Sequence, residues 1–582
     1  MEPKILFIYL FLFIAPQFTV GQNWETTGGT PERNGRGGSY GPESMATPAW
    51  SVTNAANSLW GNAIFSFNDR FVTSRVSFSP VYHVTVECRK LSDGGLLWEK
   101  SSGSDGKLYV VGMTEEAVYV HNYSTDSLYA FSPLDGAEKW VCPEQARIFG
   151  GAHGILFACN GDPVVNGPGT YTKSLMRLDK NTGQVLWFNT NLVSVSPAPD
   201  FCIYGDRLYK WEGAINAPTH LVAIDLNTGE NLFFSEAIGG DPDQEIPLTA
   251  GPDGTIYGQR DGGDLWAITD NGSSFTVKWS HPTKNGGMGT YGNIGVGNDG
   301  SLYFADGKIV KRLDPATGDV LNLSESLSTT NMSGTYIAID PDGVVFISNS
   351  GASDGKYFAF SADLQTKLWE YAVPMNYYAG PQLNQNGIFV TAGSGTGLKG
   401  FATSTSHPPA SDFTADVRSI TGGQFVRFTD ISGFEPTTWE WSFPGGIPSQ
   451  SSLQQPPPVQ YNIAGEYPVE LITSNGFGLD TLLKKCYVYV STSVGGPDDV
   501  NRKSLCIFPN PSGGNFTIDF GKEFVPGDMV YIHDIRGVMV YHKIIEQPRT
   551  YFQLNLHDGI YFVTITGPRR CTTGKLMVNK TF

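Results

Sequence analysis

Asp241-Pro-Asp243-Gln-Glu245 sets three carboxylates at alternate positions of one short segment just ahead of Pro247. Hard oxygen donors packed this closely suit calcium. A solvated acidic loop accounts for the same residues, so no cofactor is expected and calcium is the one ion left open. The nine histidines are scattered, with no His-x-His and no His-Glu-x-x-His, which leaves a histidine-rich metal site without ligands. Gly37-Gly-Ser39-Tyr-Gly41 and Gly351-Ala-Ser353-Asp-Gly355 fit the Gly-x-Ser-x-Gly pattern of a hydrolase nucleophile. That chemistry needs a strand before the serine and a helix after it, and neither segment has this context. Gly295-Val-Gly297-Asn-Asp-Gly300 and Gly395-Thr-Gly397-Leu-Lys-Gly400 fit a dinucleotide-binding pattern. No helix follows either one to hold a pyrophosphate. With 69 glycines among 582 residues, such matches arise by chance. No catalytic constellation emerges, and the chain is expected to bind rather than catalyse.

The elements that would position a site repeat. Met176-Arg-Leu-Asp-Lys-Asn-Thr-Gly183-Gln-Val-Leu-Trp187 is the fullest copy of an apolar strand, a tight turn and a second strand ending in Trp. Counting Trp50 as the first end, the others fall at Trp98, Trp140, Trp187, Phe233, Trp279, Asn322 and Trp369, with gaps of 42 to 48 residues. Between them lie hairpin signals at Asn68-Asp69, Glu115-Glu116, Gly154, Gly205-Asp206, Asp253-Gly254, Asp299-Gly300, Asp342-Gly343 and Asn386-Gly387. Asp-Gly and Asn-Gly accept the positive φ that two-residue hairpins need. A four-stranded unit at this period is a propeller blade. The last unit, Glu370 to Ala402, has three strands and no terminal Trp, whereas Ala46–Trp50 has a terminal Trp and no unit before it. The leading segment is therefore expected to complete the last blade and remove its open edge. The fold class is all-β: an eight-bladed propeller, with seven blades as the alternative, followed by two small β-sandwich domains.

Topology separates two faces. Asp-Gly hairpins and Thr-Gly turns share one, short and uniform. Blade-to-blade and second-to-third-strand loops share the other, with long aromatic loops expected at Cys159–Thr172, Trp211–Pro218, Gly258–Asp264, Ser280–Gly292 and Pro374–Gly380. Binding residues concentrate in variable loops on a rigid scaffold. Tyr171, Trp211, Arg260, Tyr291, Tyr377 and Tyr378 are the ligand-binding candidates, and a glycan or a protein is the expected ligand.

Bulk properties bound the rest. The formal charge of −17 argues against nucleic acid, whose phosphates need Lys and Arg. Lys4 precedes an apolar run, Ile5 to Ala15, too short to span a bilayer, so residues 1–21 are expected to be a signal peptide cut between Gly21 and Gln22. No later stretch predicts a membrane helix in the mature chain. Seven widely spaced cysteines, with no Cys-x-x-Cys, allow disulfides after export but leave at least one unpaired within the chain.

Three resemblances carry these residues further. The Thr-Gly…Trp turns, with the lead-in Trp24…Pro31-Glu-Arg33-Asn-Gly35…Gly41-Pro42…Pro48-Ala-Trp50, resemble the pyrroloquinoline-quinone-like propellers over 22–402. In that family the Trp packs between blades and the turn is structural. Its quinone dehydrogenases imply an alternative function as a quinoprotein-like oxidoreductase; a secreted polysaccharide-active enzyme is another. Many of those dehydrogenases carry a vicinal disulfide, and this chain has no Cys-Cys pair. After a polar linker at 403–410, Trp439-Glu-Trp441-Ser-Phe443-Pro-Gly-Gly446 with Pro448, Tyr461, Gly465, Tyr467 and Asn475 is similar to a PKD domain, an immunoglobulin-like sandwich, over 411–490. There Trp441 is expected in the core. A second linker, 491–504, precedes Phe508-Pro509-Asn510-Pro511-Ser-Gly-Gly514, Asp534-Ile-Arg-Gly537, Leu556-His-Asp-Gly559-Ile-Tyr561 and Lys575. These motifs over 505–582 resemble the type A C-terminal sorting domain of the type IX secretion system. The resemblance implies a Bacteroidetes-type bacterium, the secretion machinery as a partner, and a secreted or outer-membrane-surface location.

Overall fold

The computed structural model describes residues 25–491, apart from 27, 54–57, 61–62, 79–80, 102–105, 144–154, 167–174, 193–200, 214–218, 239–247, 260–263, 284–291, 333, 350, 352, 377–379 and 394–396. It also describes 506–580, apart from 509–511, 513, 520–528, 535–538, 546, 548, 568–569 and 579. The described residues form strands and turns, with no α-helix among them. They divide into two compact units, Met1–Thr492 and Ser493–Phe582.

Eight sheets follow in order through the first 402 residues. The first contains Ser58–Trp60, Phe65–Phe67, Arg70–Ser77, His83–Lys90 and Leu96–Lys100. In the second, Leu108–Met113, Val118–Asn122, Ser127–Phe131 and Glu138–Cys142 pair antiparallel in sequence order. Sheets three to seven repeat this four-stranded meander over 156–189, 201–234, 249–281, 295–323 and 336–372. Burial falls across each sheet. Leu108–Met113 is buried at every position, while Glu138–Cys142 buries only Trp140 and Cys142. A strand enclosed on both faces reads as a continuous apolar run, and one at an edge alternates. This arrangement is a β-propeller.

The eighth sheet joins the two ends of the region. Ile388–Thr391 and Leu398–Ala402 are completed by Trp50–Val52, with Trp50 opposite Gly400 and Val52 opposite Leu398. The outer strand that the last repeat lacks comes from the front of the chain, as its sequence implied, but that repeat contributes two described strands to the sheet and not the expected three.

The tandem Trp and Gly markers form one contact. Trp98 Nε1 donates to the Pro133 carbonyl, Trp140 to Lys180, Trp187 to Leu226 and Trp279 to Pro315, each on the following sheet. The glycine of the following Thr-Gly turn, or of its variant, lies against the same indole. At Gly183, φ is +69° and an added Cβ would stand 2.4 Å from Trp140. Trp50 does the same across the closure, donating to the Leu91 carbonyl beside Gly94. Because the eighth sheet has no turn joining its last two strands, Trp369 donates instead to Pro42 in the lead-in.

The lead-in itself crosses the hairpin ends of seven successive sheets. Glu25 O accepts from Met113 N–H, and Thr26 Oγ1 donates to the Ile155 carbonyl. Pro31, Glu32 and Asn34 carbonyls accept from Ile203, Ala250 and Val296; Gly35 O accepts from Ile339; and Ser39 Oγ donates to Asn384 O. Arg33 and Ser39 are fully buried. The turns of this face, read from the sequence as short and uniform, are thus crossed by a strap.

Residues 411–491 cover the same face. One sheet runs in the order Ser419–Thr421, Gly478–Ser491, Gly465–Asn475, Thr438–Ser442, Gln450–Ser451; a second pairs Phe425–Val426, Val459–Tyr461 and Gly446–Ile447. Their shared core holds Phe413, Phe428, Trp441, Phe443, Tyr461 and Tyr487, so Trp441 is a core residue. Cys486 is disulfide-bonded to Cys159. Cys159 sits in the hairpin spanning Ala158 to Asp162, which corrects both the expected turn at Gly154 and the expected long loop beginning at Cys159. The segment 403–410, expected as a polar linker, is pinned: Ser404 hydrogen-bonds Glu43, His407 stacks on Tyr40 at 4.2 Å, and Ala410 is buried.

The second unit has two sheets. One joins Cys506–Phe508, Asn515–Asp519 and Arg549–Gln553; the other joins Met539–Ile544, Met529–Asp534, Gly559–Gly567 and Arg570–Val578. Phe516, Ile518, Ile532, Phe552, Val563 and Leu576 fill its core.

Candidate functional site

Three carboxylates enter the junction of hairpin face and module. Glu115 accepts from Ala415 N–H at 3.1 Å and from Tyr487 Oη at 2.8 Å. Glu116 pairs with Lys180 at 2.9 Å and with Arg418 at 3.6 Å, and the Arg418 guanidinium lies 4.4 Å from the Tyr487 ring centre. Glu25 joins them; burial raises its carboxyl to about 7 against the pull of Lys484 and Arg418. Glu115 and Glu116 thus join the module to the hairpin face.

On the opposite face, the described residues include an exposed cluster between the first two sheets. Arg70–Ser77 and His83–Lys90 pair along their length, and their connection presents Phe78 at 52% exposure, Val81 at 42% and Tyr82 at 38%. Phe78 and Tyr82 rings lie 5.9 Å apart at 54°. Tyr82 Oη and Tyr109 Oη share a hydrogen bond of 3.0 Å. Lys107 enters from the next sheet, its backbone bridged to Val84 and its carbonyl accepting from Tyr123 N–H at 3.0 Å. Its ammonium lies 5.3 Å from the Tyr82 ring centre and 5.6 Å from that of Tyr123. Beneath, Val76, Val84 and Tyr109 are buried, with Tyr123 and Met375 packed against them. Cation–π contact fixes the ammonium while leaving its hydrogens available. Lys399 on the eighth sheet is held in the same way, donating to Tyr371 Oη at 2.7 Å with its ammonium 5.4 Å from that ring centre.

The expected ligand residues fare unevenly. Trp211 is not on an exposed loop: it is 2% exposed in Arg207–Glu212, opposite Leu221. Its ring fills the space left by Gly258, where an added Cβ would meet it at 2.7 Å. The apolar side chains Tyr209 and Trp211, two apart in a strand, point to one face and pack in one core; that spacing was the missed signal. Tyr171, Arg260, Tyr291, Tyr377 and Tyr378 lie outside the described residues, as do Asp241, Asp243 and Glu245. Met375, which is described, packs against the cluster. Phe78, Tyr82, Lys107 and Tyr123 were overlooked, although Phe78-Ser-Pro-Val-Tyr82 sets two aromatics around a proline between strands.

In the second unit, Gly514 takes φ +106° with Leu554 O 2.5 Å from an added Cβ, and Tyr561 is buried opposite Asp534. Lys575 pairs with Phe562, and Gly559 starts the strand that Tyr561 continues. Pro509, Asn510, Pro511 and Gly537 lie outside the described residues.

The description "Secretion system C-terminal sorting domain" matches residues 506–579, and "Outer membrane protein assembly factor BamB", a PQQ-like repeat family, matches 50–281. The chain carries a PQQ-like-repeat propeller and a type IX sorting domain. The sorting domain marks the protein for export to the cell surface or medium and names the type IX machinery as a partner. No curated protein matches the sequence. Similar solved structures include BamB from Moraxella catarrhalis, 13% identical over 60% of this chain and 99% of that one, with a TM-score of 0.42. A quinohemoprotein alcohol dehydrogenase from Pseudomonas putida is 14% identical over 83% of each chain, TM-score 0.44. A europium-containing methanol dehydrogenase is 10% identical over 65% of this chain and 90% of that one, TM-score 0.42.

A quinone with calcium would require a set of oxygen donors around one point. Among the described residues, no group of three His, Cys, Asp or Glu side chains is placed to hold a metal ion. Cys88, Cys142 and Cys202 are buried thiols on three different sheets. No helix among the described residues is long and apolar enough to cross a membrane.

Proposed function

We propose that the protein is an exported, non-enzymatic binding or adhesion protein that engages a glycan or protein through the loop face of its propeller. In this reading the eight sheets are eight blades of one ring, and residues 411–490 are a PKD-type module. A signal peptide at 1–21 carries the chain over the inner membrane before the type IX tail carries it over the outer. The observation that carries the reading is the inequality of the two faces. Strap and module occupy one, whereas the other exposes aromatic rings beside a fixed cation. Exposed aromatics contribute flat apolar area with a polar tip, which suits recognition. The test is binding of purified protein to surface glycans and proteins, with Phe78→Ala/Tyr82→Ala as the loop-face variant. Loss of binding with an unchanged melting temperature supports the reading. Turnover of an alcohol by a purified quinone-loaded protein, or binding that ignores the variant, overturns it.

A further inference from the structure

Net charge and local charge disagree at the aromatic cluster. The chain carries −17 overall, yet Lys107, set between Tyr82 and Tyr123, has no carboxylate partner among the described residues. Lys399, at the same end of the eighth sheet, is likewise matched with a tyrosine and no acid. Elsewhere the described lysines commonly meet carboxylates: Lys180 meets Glu116, Lys311 Asp306, Lys356 Glu370 and Lys484 Asp412. A lysine held between rings, one of them 38% exposed, can present its charge to a molecule outside the chain.

Resting on the loop-face reading above, we propose that the Phe78–Tyr82–Lys107–Tyr123 cluster binds an acidic polysaccharide, stacking a pyranose ring on Tyr82 and Phe78 and pairing its carboxylate with Lys107. The two parts of the cluster match the two parts of a uronate. Sugar C–H faces are apolar and flat, as the exposed rings are. The carboxylate accepts charge-assisted hydrogen bonds from the ammonium. A neutral sugar would use the rings and leave the cation idle. An acidic peptide would use the cation but bring no flat apolar face to match the rings. Lys399 lies where a chain running on from Lys107 past the first sheet could place a second carboxylate.

The experiment uses the full mature chain and oligosaccharides of galacturonate, mannuronate and glucuronate, each beside its carboxyl-methylated ester. At least one acid is expected to bind, about tenfold more tightly than its ester, and to lose affinity as salt rises. Lys107→Met should weaken the acid about tenfold and leave the ester unchanged. Lys107→Arg should retain the affinity, since guanidinium pairs with carboxylate. All three proteins should melt alike. Equal affinity for acid and ester, or indifference to Lys107→Met, overturns the proposal. If neutral glycans or a protein bind in a way that Phe78→Ala/Tyr82→Ala abolishes, the loop-face reading stands and the acidic-sugar inference falls. If nothing binds this face, both fall.

Discussion

Gly183 and Gly205 both need positive φ, +69° and +64°, but only Gly183 has a neighbour. An added Cβ at Gly183 would stand 2.4 Å from Trp140, while one at Gly205 would meet nothing within 4 Å. Gly205→Ala should therefore cost about 1 kcal/mol, the price of a left-handed residue. Gly183→Ala should cost more, about 2–4 kcal/mol, because an indole must also move. Urea unfolding measures both; equal losses would show that the indole contact does not explain the repeated Gly. Glu25 supports a second prediction. Its carboxyl takes up its proton near 7 when folded and near its ordinary 4.5 when unfolded. The native state binds the extra proton between these values, so this group makes stability fall as pH rises from about 4.5 to 7. Glu25→Gln removes that penalty. Its melting temperature relative to the parent should be higher at pH 8 than at pH 5; a gap independent of pH would place Glu25 in water. The difference cancels other titrating groups, including His281, which burial pushes down and which works in the opposite sense. At this scale the recurring Trp and Gly were legible because one contact repeats. The aromatic cluster was not: it joins residues from 78, 107 and 123 whose common location depends on how two sheets meet.

The strand Trp50–Val52 shows what a short element can decide. Trp50 is 8% exposed, stacked on Phe71 at 5.8 Å, and bonded to the Leu91 carbonyl. It thus ties the eighth sheet to the first. Trp50→Ala removes a large aromatic from that seam and should cost about 3–5 kcal/mol. Calorimetry of the full chain would report a lower melting temperature; an unchanged one would mean that the ring is closed by other contacts. The incomplete last repeat and orphan first Trp made this pairing readable from the sequence. By contrast, the third hairpin was misplaced at Gly154 because Ala158-Cys-Asn-Gly161-Asp was taken as the start of a long loop. The Asn-Gly at its centre, with Gly161 at φ +90°, was the truer turn signal. Docking of the module on the hairpin face had no local signal, since its disulfide joins cysteines 327 residues apart.

Across the whole molecule, the sorting unit is compact on its own and ends a chain whose other unit closes at Thr492. Deleting Leu505–Phe582 removes a separate core, so propeller and module should melt as before. The truncated protein should stay in the periplasm, folded. Normal appearance at the surface or in the medium would refute the sorting role. The repeat region and the sorting motifs behind it were legible in the sequence because each carries its own recurring turn residues. Which propeller face the strap and module cover was not, because their contacts join residues far apart in sequence.

The strap has a consequence in time as well as in space. Its partners extend from Met113 to Asn384, and the strand that follows it waits for Gly400. Contacts so distant in sequence carry a large loop-closure cost and form late. Until some four hundred residues are available together, the earliest part of the mature chain has nowhere to settle, and the last sheet keeps an open edge. Any factor that holds back even the last sheet during export would keep the whole propeller unlocked. Release of that sheet would then complete the ring, seat the strap and create the docking surface for the module as one cooperative event.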